Sequence, residues 1–543
     1  MDELKTKDYY EVAASTFTHI RVFMIAIIIA TLLKFVVQKF FSSKDENGSA
    51  QTIKYLESLP GPRGIPLFGP LYQLRNYKNA LRTLQKFSED YGPIYTFKVL
   101  NERFVIVSSA PLAQAVLGTS ELGHISKAPV VYENVLGEIL REGLVTSSGE
   151  HWKTHRKILS RGFTYKSLRV YCKLFNKCAK TLVCNLESVF QGNGDANEYR
   201  PINRMIHYCG IEIIAEVVLG IDTYSGKEAM RLYDVAKIVK NITSQRTRAP
   251  WLYIQGIWKL HPLSRKFYSA LDILNGIITQ MIEKHKKAHE NSPRLAETIK
   301  KGQVEEEEPC GNMIELMYRS GFNDEEILDE VNTMINAGFE TTSGAVHFLM
   351  FLLALNPEHQ LICRREVDSA FNDPMQYQNE VLSYEALSEM KHLERCILET
   401  LRIFPLAFSM MRKLDIPLKL DEKLELPAGI TVGVLNFTLH SNPEYFPNPQ
   451  EFQPDRFLPE NCRKRHPYAY MPFSVGPRNC IGMKFAILES KTMAAHILRN
   501  FEVFTNDKIG DVAILPDILM TPERDYNFLL RKRMHVTITD LLE

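Results

Sequence analysis

A ten-residue stretch near the end of the chain, from Phe473 to Gly482, restricts the possible structures more than any other feature of the sequence. It reads FSVGPRNCIG, and a helical pattern follows it from Met483 to Leu498. Gly476 permits a tight turn that places Cys480 at the start of this helix. There the free amide groups and the positive end of the helix dipole favour a thiolate over a thiol. The pattern therefore predicts a cysteine on a turn that is held as a thiolate.

A second motif lies inside a long predicted helix. Asn323 can cap this helix with Glu326 three residues later, and the helix runs to Leu355 before Pro357 ends it. Such a helix is about 48 Å long, enough to cross a whole domain. The polar sequence AGFETT, residues 337–342, interrupts its apolar pattern. One interpretation is a functional group at the centre of the domain, and the other is an ordinary helix with a back-bonded threonine.

Both stretches resemble signature motifs of the cytochrome P-450 superfamily, F-x-x-G-x-R-x-C-x-G and A-G-x-[DE]-T-[TS]. The resemblance implies that Cys480 is the axial thiolate ligand of haem b, where an anionic sulfur pushes electron density onto the iron. It also implies that Phe473 packs beside the sulfur, that Arg478 binds a haem propionate and that Gly482 lets the flat macrocycle approach the backbone. For the first motif alone, the alternative is a cysteine that fills the core.

The second motif adds candidate catalytic residues on the distal side of the haem. By the resemblance, Gly338 makes room for dioxygen because it has no side chain. Thr341 offers a hydrogen-bond donor on that side, and Glu340 relays protons from solvent. We therefore expect Thr341 and Glu340 to be catalytic and Gly338 to line the cofactor site.

Two arginines outside these motifs are further candidate haem contacts. HWKTHR, residues 151–156, is similar to the family's W-x-x-x-R helix, in which Trp152 and Arg156 lie one turn apart and face a propionate. Arg412 follows the sequence FP at 404–405 at the distance where the family places another propionate-binding arginine. Without the resemblance, either arginine is more simply a surface salt-bridge partner.

A structural charge network is expected on the side of the haem that carries the cysteine. Glu399 and Arg402 lie on one helical face as an i, i+3 pair. Together with Arg456 in the sequence FQPDRF they resemble the family's E-x-x-R and P-x-R-F motifs, whose charges fix the haem-side loop. On its own, E-x-x-R is a common surface pair. The resemblance covers five motifs in the family's order, from Pro60 to the C-terminus.

The N-terminal part of the chain predicts a membrane anchor. The residues from Phe17 to Phe41 would form about 36 Å of helix, against about 30 Å for a hydrocarbon core. Lysines follow this segment, which places the body in the cytosol, at the endoplasmic reticulum membrane. A cleaved signal peptide or a helix lying in the interface are the alternatives. We expect a lumenal tail over 1–16, the anchor over 17–41, a linker with a Pro/Gly hinge over 42–66 and a catalytic domain over 67–543.

The catalytic domain is predicted to be mainly α with small β-sheets, as in the cytochrome P-450 fold. Ile94 to Val107 favours strands, helical patterns dominate to about Ile403, and strands recur near Leu418 to Leu426 and at the C-terminus. Glu290 to Gly311 has the composition of a solvated loop. The net charge of +1 gives no reason to expect nucleic acid as a partner.

The expected function is insertion of one atom of dioxygen into a lipophilic substrate. The sequence has no G-x-G-x-x-G fingerprint, so the electrons must come from a partner, an NADPH–cytochrome P-450 reductase. A small haem electron carrier is a second candidate donor. Arg463, Lys464 and Arg465 offer positive charge for docking near Cys480. The alternatives are a haem-thiolate isomerase or dehydratase, and a nonenzymatic haem or lipid carrier.

The substrate stays open among fatty acids, terpenoid hormones, steroids and xenobiotics. The segments 248–252 and 260–287 are similar to animal microsomal fatty-acid hydroxylases, and more to insect than to vertebrate ones. Many of those enzymes carry a glutamate before the glycine of the second motif that can esterify the haem, and here that residue is Ala337. We therefore expect noncovalent haem. The chain has nine cysteines without a C-x-x-C pair, and most are expected to be buried fillers in a reducing compartment.

Overall fold

A computed structural model describes residues 56–65, 68–99, 102–129, 132–191, 197–220, 226–290, 311–422 and 424–533. The predicted tail, the anchor, most of the linker and most of the 290–311 segment lie outside the described residues. Within these ranges, one helix, Asp324–Leu355, is long and apolar enough to cross a membrane. Of its most apolar part 67% is buried inside the protein, as in the core helix of a globular domain.

Helices make up most of the described chain. The longer ones surround the central helix Asp324–Leu355, whose apolar side chains are buried by the helices Asn203–Leu219 and Met483–Asn500. In chain order the α-helices are α1 Ala80–Tyr91, α2 Ala110–Leu117, α3 Gly137–Leu140, α4 Gly149–Leu159, α5 Tyr165–Gln191, α6 Asn203–Leu219, α7 Gly226–Thr247, α8 Gln255–Leu260, α9 Pro262–Glu290, α10 Met313–Arg319, α11 Asp324–Leu355, α12 Pro357–Asn372, α13 Tyr384–Glu389, α14 Lys391–Ile403, α15 Asn436–His440, α16 Pro459–Lys464 and α17 Met483–Asn500.

The strands form small sheets beside the helices. The largest sheet has four strands in the order β1-β2-β9-β6, in which β2 and β9 are parallel and the other pairs are antiparallel. A second sheet has the order β10-β13-β3, and three sheets have two strands each. The strands are β1 Ile94–Val99, β2 Glu102–Val107, β3 Arg200–Pro201, β4 Tyr377–Gln378, β5 Val381–Leu382, β6 Ser409–Lys413, β7 Leu418–Lys419, β8 Glu425–Leu426, β9 Thr431–Leu435, β10 Phe501–Thr505, β11 Ile514–Pro516, β12 Met520–Pro522 and β13 Asn527–Lys532.

These elements confirm the predicted class, mainly α with small sheets. The predicted strand region 94–107 is the β1-β2 hairpin, and the helical region ends at Ile403 as expected. The central helix begins as its sequence predicts. The Asn323 side chain accepts hydrogen bonds from the backbone of Glu325 and Glu326, and the Glu326 carboxylate accepts one from the Asn323 amide at 2.8 Å. Local capping therefore fixes the start of the helix that carries the second motif.

The described part of the Pro/Gly linker lies against the largest sheet. The backbone amide of Thr96 in β1 donates to the carbonyl of Pro60 at 2.9 Å. A Cβ on Gly61 would lie 1.9 Å from the Thr96 carbonyl oxygen, so the close approach requires glycine. The described part of the Pro/Gly segment is thus held against the first strand.

Candidate active site

A mainly apolar cavity of about 350 Å³ lies between the central helix α11 and the loop that precedes α17. The central helix contributes residues of the second motif to one wall, and the cysteine loop contributes the facing residues. The structure brings together most of the predicted site. The predicted site residues that line this cavity are Trp152, Arg156, Gly338, Thr341, Arg412, Phe473, Arg478, Cys480 and Gly482.

The cysteine loop is shaped by its glycine and by a backbone hydrogen bond. Gly476 has φ +73°, and a Cβ there would lie 2.1 Å from the Leu117 carbonyl oxygen, so only glycine fits. The Cys480 amide donates to the carbonyl of Phe473 at 2.8 Å and closes the loop. Beside it, a Cβ on Gly482 would meet only a side-chain atom of Phe163, at 3.7 Å. Gly482 therefore leaves open space on the cavity side.

The surroundings of Cys480 shift the pKa of its thiol in opposite directions. Burial raises the pKa of Cys480, whereas a hydrogen bond from the Gly482 backbone and the charge of Arg156 lower it. The net direction is upward. The sequence predicted the contribution of the backbone amides but neither the charge of Arg156 nor the burial, which outweighs both because the thiolate loses its hydration.

Four cations gather at one end of the cavity. They are Arg156, Arg412, Arg478 and Lys127, and in the described part of the chain none of them makes an ion pair with a carboxylate. Burial, followed by the neighbouring charge of Arg412, lowers the pKa of Arg478 to about 9. Burial also lowers the pKa of Lys127 well below its ordinary value, and Arg412 and Arg478 add to this effect. Such a group of unpaired cations suits a ligand with two negative charges.

The cations are held by neutral groups. Arg478 donates to the backbone carbonyls of Ile125 and Ser147, and its guanidinium lies 4.1 Å from the Trp152 ring centre. Arg156 donates to the Asn479 carbonyl at 2.9 Å. The guanidinium groups are thereby oriented without being neutralised. No motif in the sequence contains Lys127, and only the folded chain brings it to Arg412.

The wall formed by the central helix is less polar than its sequence suggests. The Thr341 hydroxyl donates to the carbonyl of Ala337 at 2.8 Å, which is the back-bonded geometry considered as an alternative. Thr341 still lines the cavity. A Cβ on Gly338 would lie 2.7 Å from a side-chain atom of Ile214 in α6, so close helix packing is by itself a reason for this glycine.

Glu340 lies beside a second cavity of about 390 Å³, which is more polar. It forms an ion pair with Lys240 of α7, and Nε2 of His207 lies 3.7 Å from the same carboxylate oxygen. Burial would raise the pKa of Glu340, but Lys240 and His207 outweigh it and hold the pKa well below its ordinary value. Glu340 is therefore an ionised carboxylate. Lys240 is 100 residues away in the chain, and no sequence signal connected the two.

The predicted charge network of Glu399, Arg402 and Arg456 is present and buried. Two nitrogens of Arg402 donate to the two oxygens of Glu399 at 2.7 and 2.8 Å, which is a bidentate pair. Nε of Arg456 lies 3.3 Å from Glu399. The remaining Arg402 donors reach backbone carbonyls of His440 and Glu451. The network thus joins α14 to the segment that leads to the cysteine loop.

The predicted docking patch is only partly exposed. Arg463 and Lys464 are exposed, but Arg465 is half-buried. Its guanidinium donates to the carbonyl of Arg456 at 2.7 Å and lies 4.3 Å from the ring centre of Phe446. Arg465 therefore supports the structure, and the prediction of three surface charges is wrong at this position.

Comparisons with known proteins agree with this geometry. The model of the Cytochrome P450 family matches residues 59–529. Cytochrome P450 4c21 of Blattella germanica is 30% identical over 510 residues, which cover 93% of this chain and 98% of that protein. Probable cytochrome P450 4aa1 of Drosophila melanogaster is 31% identical and covers 82% of the chain and 84% of its own length. Cytochrome P450 4V2 of Mus musculus is 30% identical, covering 89% of this chain and 91% of that protein.

The fold, the cysteine facing the cavity and the matched family model define a haem-thiolate monooxygenase. The chain belongs to the cytochrome P450 family. It is an oxidoreductase that binds haem b through a cysteine thiolate, takes electrons from a redox partner and acts on lipophilic substrates. The cavity fits this cofactor, since it combines a cysteine, open space at Gly482 and four unpaired cations for the two propionates.

Proposed function

We propose that this protein inserts one atom of dioxygen into an apolar substrate, and that the Cys480 thiolate would hold the haem iron. The proposal is supported above all by the position of Cys480, which faces the wall formed by the central helix across a mainly apolar cavity. Bound haem supplies the activation of dioxygen. Arg156, Arg412 and Arg478 would bind its propionates; Trp152 stacks against Arg478, and Phe473 lines the same cavity as Cys480.

On the distal side, Thr341 and Glu340 deliver protons to the reaction. Thr341 holds a hydroxyl in the haem cavity, and its neighbour Glu340 holds a carboxylate at the polar second cavity. The two consecutive residues thus connect a mainly apolar cavity with a more polar one. Burying the substrate in the apolar cavity excludes bulk water, which limits side reactions.

The electrons come from an NADPH–cytochrome P-450 reductase, with a small haem protein as a second donor. The exposed cations Arg463 and Lys464 would attract a negatively charged docking surface of the partner to the cysteine side of the protein. The anchor over 17–41 holds the protein on the endoplasmic reticulum membrane, with the catalytic domain over 67–543 in the cytosol. Membrane attachment suits substrates that partition into lipid.

The assignment of Cys480 is tested by replacing it in the full chain. In Cys480→Ser, the reduced protein with carbon monoxide should lose the thiolate-type absorption band, because a serine oxygen does not donate electron density as a thiolate does. Cys184→Ser is the matched control, since Cys184 is an exposed free cysteine. An unchanged spectrum in Cys480→Ser would contradict the assignment.

The reaction is tested by reconstitution with the reductase and NADPH. We expect fatty acids, terpenoids or xenobiotics to yield products that have gained one oxygen atom, measured by mass spectrometry with isotopically labelled dioxygen. Rearrangement of hydroperoxides without NADPH would support a haem-thiolate isomerase instead. A haem-loaded protein that yields neither product would support a carrier.

A further inference from the structure

Two histidine–cysteine pairs face each other on neighbouring helices outside the haem cavity. His359 and Cys363 are four residues apart on α12, and His392 and Cys396 are four apart on α14. Residues at this spacing lie on one face of a helix. In the described ranges, none of the four lines either cavity. The haem site therefore does not explain why these groups come together.

We propose that these side chains bind one Zn²⁺ ion, with Cys363, Cys396 and His392 as three ligands and His359 as the fourth. Two thiolates and two imidazoles are a ligand set that zinc prefers in structural sites. The proposal does not depend on the monooxygenase function and concerns a different part of the fold.

Two distances between candidate ligand atoms, one between the sulfurs and one between the histidine nitrogens, match those around a tetrahedral zinc ion. Ligand atoms of Cys363, His392 and Cys396 all lie within 4.8 Å of one another. The two sulfurs are 3.7 Å apart, and two sulfurs at zinc bond lengths would be about 3.8 Å apart. Nδ1 of His359 lies 3.2 Å from Nε2 of His392, against about 3.3 Å for two zinc-bound nitrogens. His359 lies outside this group of three, so its ring must move towards the two sulfurs to become the fourth ligand.

The hydrogen bonds of the histidines show which atoms are available. An Arg395 nitrogen lies 3.0 Å from Nδ1 of His392, and a guanidinium can only donate. His392 therefore carries its proton on Nε2 and donates it to Nδ1 of His359, which presents a lone pair to the cluster. When zinc binds Nε2 of His392, the proton moves to Nδ1. Arg395 then turns to Asp455, whose carboxylate is 3.5 Å from Nε of Arg395.

Burial, ring packing and hydrogen bonds between α12 and α14 hold the four side chains in place. Both cysteines are fully buried, and the Phe452 ring packs edge-on against the His359 ring at 5.6 Å between ring centres. Glu366 of α12 accepts hydrogen bonds from the backbone amides of His392 and Leu393 at 2.8 and 3.0 Å, so it joins α12 to the start of α14. A preformed arrangement of this kind lowers the entropy that binding would otherwise lose.

Zinc binding here would be an acid–base exchange without oxidation. The two thiols lose their protons to solvent, two Zn–S bonds form, and the two imidazoles bind as neutral ligands. The ion would link α12 to α14 one turn before Glu399, the centre of the buried charge network. Its expected effect is structural support for the cysteine side of the haem site.

The experiment uses the full haem-loaded protein, expressed with zinc and washed with a weak chelator. We expect one zinc per protein, and zinc-edge X-ray absorption should show two sulfur neighbours at about 2.3 Å and nitrogen neighbours at about 2.0–2.1 Å. This readout is separate from the haem iron and from activity. Cys363→Ser and Cys396→Ser should each weaken zinc binding at least about 100-fold in a chelator competition, since even outer-shell changes cost 10–100-fold.

Two control variants distinguish zinc binding by these four residues from general effects of losing a cysteine. Cys172→Ser removes another buried cysteine and should leave zinc content unchanged. His359→Gln keeps both thiols and should replace one nitrogen neighbour in the absorption spectrum without removing the sulfurs. Each variant is first checked for an unchanged haem spectrum. If a serine variant loses haem, the zinc-edge spectrum of His359→Gln decides between the outcomes.

Three results would overturn the proposal. One is an X-ray absorption spectrum in which the bound zinc has only nitrogen and oxygen neighbours and no sulfur neighbour. Another is equal zinc binding in wild type and Cys396→Ser. The third concerns protein purified under reducing conditions. If mass spectrometry finds a Cys363–Cys396 disulfide in it and the protein binds no zinc, the proposal fails.

Discussion

Lys240 of α7 forms an ion pair with Glu340 at the centre of the helix Asp324–Leu355. Glu340 and the next residue, Thr341, line different cavities, one polar and one mainly apolar. The pair keeps a buried carboxylate ionised directly beside the residue that faces the haem cavity. In the proposed mechanism, proton delivery therefore depends on a lysine from another helix.

Replacing Lys240 should make coupling depend on pH. In the wild type the pKa of Glu340 lies well below its ordinary value, so the carboxylate stays ionised above pH 4.5. In Lys240→Met burial acts unopposed by the ammonium and raises this pKa, so product per NADPH should fall as pH is lowered through the new value. The measurement is product per NADPH as a function of pH. Lys237→Met, at the same cavity, is the control and should keep the wild-type profile.

Thr341→Ala should uncouple NADPH consumption from product formation. The variant loses the only hydroxyl that we assign to proton delivery in the haem cavity, and general acid catalysis contributes about 100-fold or more. We expect NADPH oxidation to continue while product falls at least about 10-fold. Thr341→Ser keeps the hydroxyl and should recover most of the coupling. Equal product from the alanine variant and the wild type would remove Thr341 from the mechanism.

Arg412→Met should weaken haem retention. Arg412 is buried, its only hydrogen bond to another described group goes to the Met411 carbonyl, and burial lowers its pKa. A charge-assisted hydrogen bond to a propionate is worth about 1.5–3 kcal/mol, which corresponds to about 10- to 150-fold in haem affinity. Haem transfer to an acceptor protein gives the loss rate. Lys413→Met, at the next position of β6, should change it little.

Glu489→Gln should stabilise the protein at high pH. Burial raises the pKa of Glu489 to about 8 against an opposing hydrogen bond with Thr342, and the ordinary value is 4.5. The folded state therefore holds a proton that the unfolded chain releases, and stability is lost as pH rises from 4.5 to about 8. The variant should gain on the order of a few kcal/mol at pH 8 and nothing near pH 4.5. Urea denaturation at both values measures this, with exposed Glu422→Gln as the control.

The haem should be extractable with acid. Ala337 lines the haem cavity and offers no carboxylate to form an ester. We expect all haem to enter the organic phase after denaturation in acid, and Ala337→Glu to retain a fraction on the protein after turnover. Haem that stays with the wild-type protein under these conditions would contradict the prediction.

The sequence by itself determined those parts of the protein that depend on neighbouring residues. The capping of the central helix by Asn323, the turn at Gly476 and the pairing of Glu399 with Arg402 all follow from short-range spacing, and the structure contains each of them. The order of the motifs along the chain was also enough to identify the family and to predict which residues line one cavity.

Only the tertiary structure decided which distant side chains meet. Lys127 lies beside Arg412 and Arg478, Lys240 pairs with Glu340, and Arg465 turns inward. The two H-x-x-x-C segments became a cluster because α12 packs against α14. Charge, burial and pKa depend on distances set by packing across the whole domain, and a single sequence carries no local signal for them.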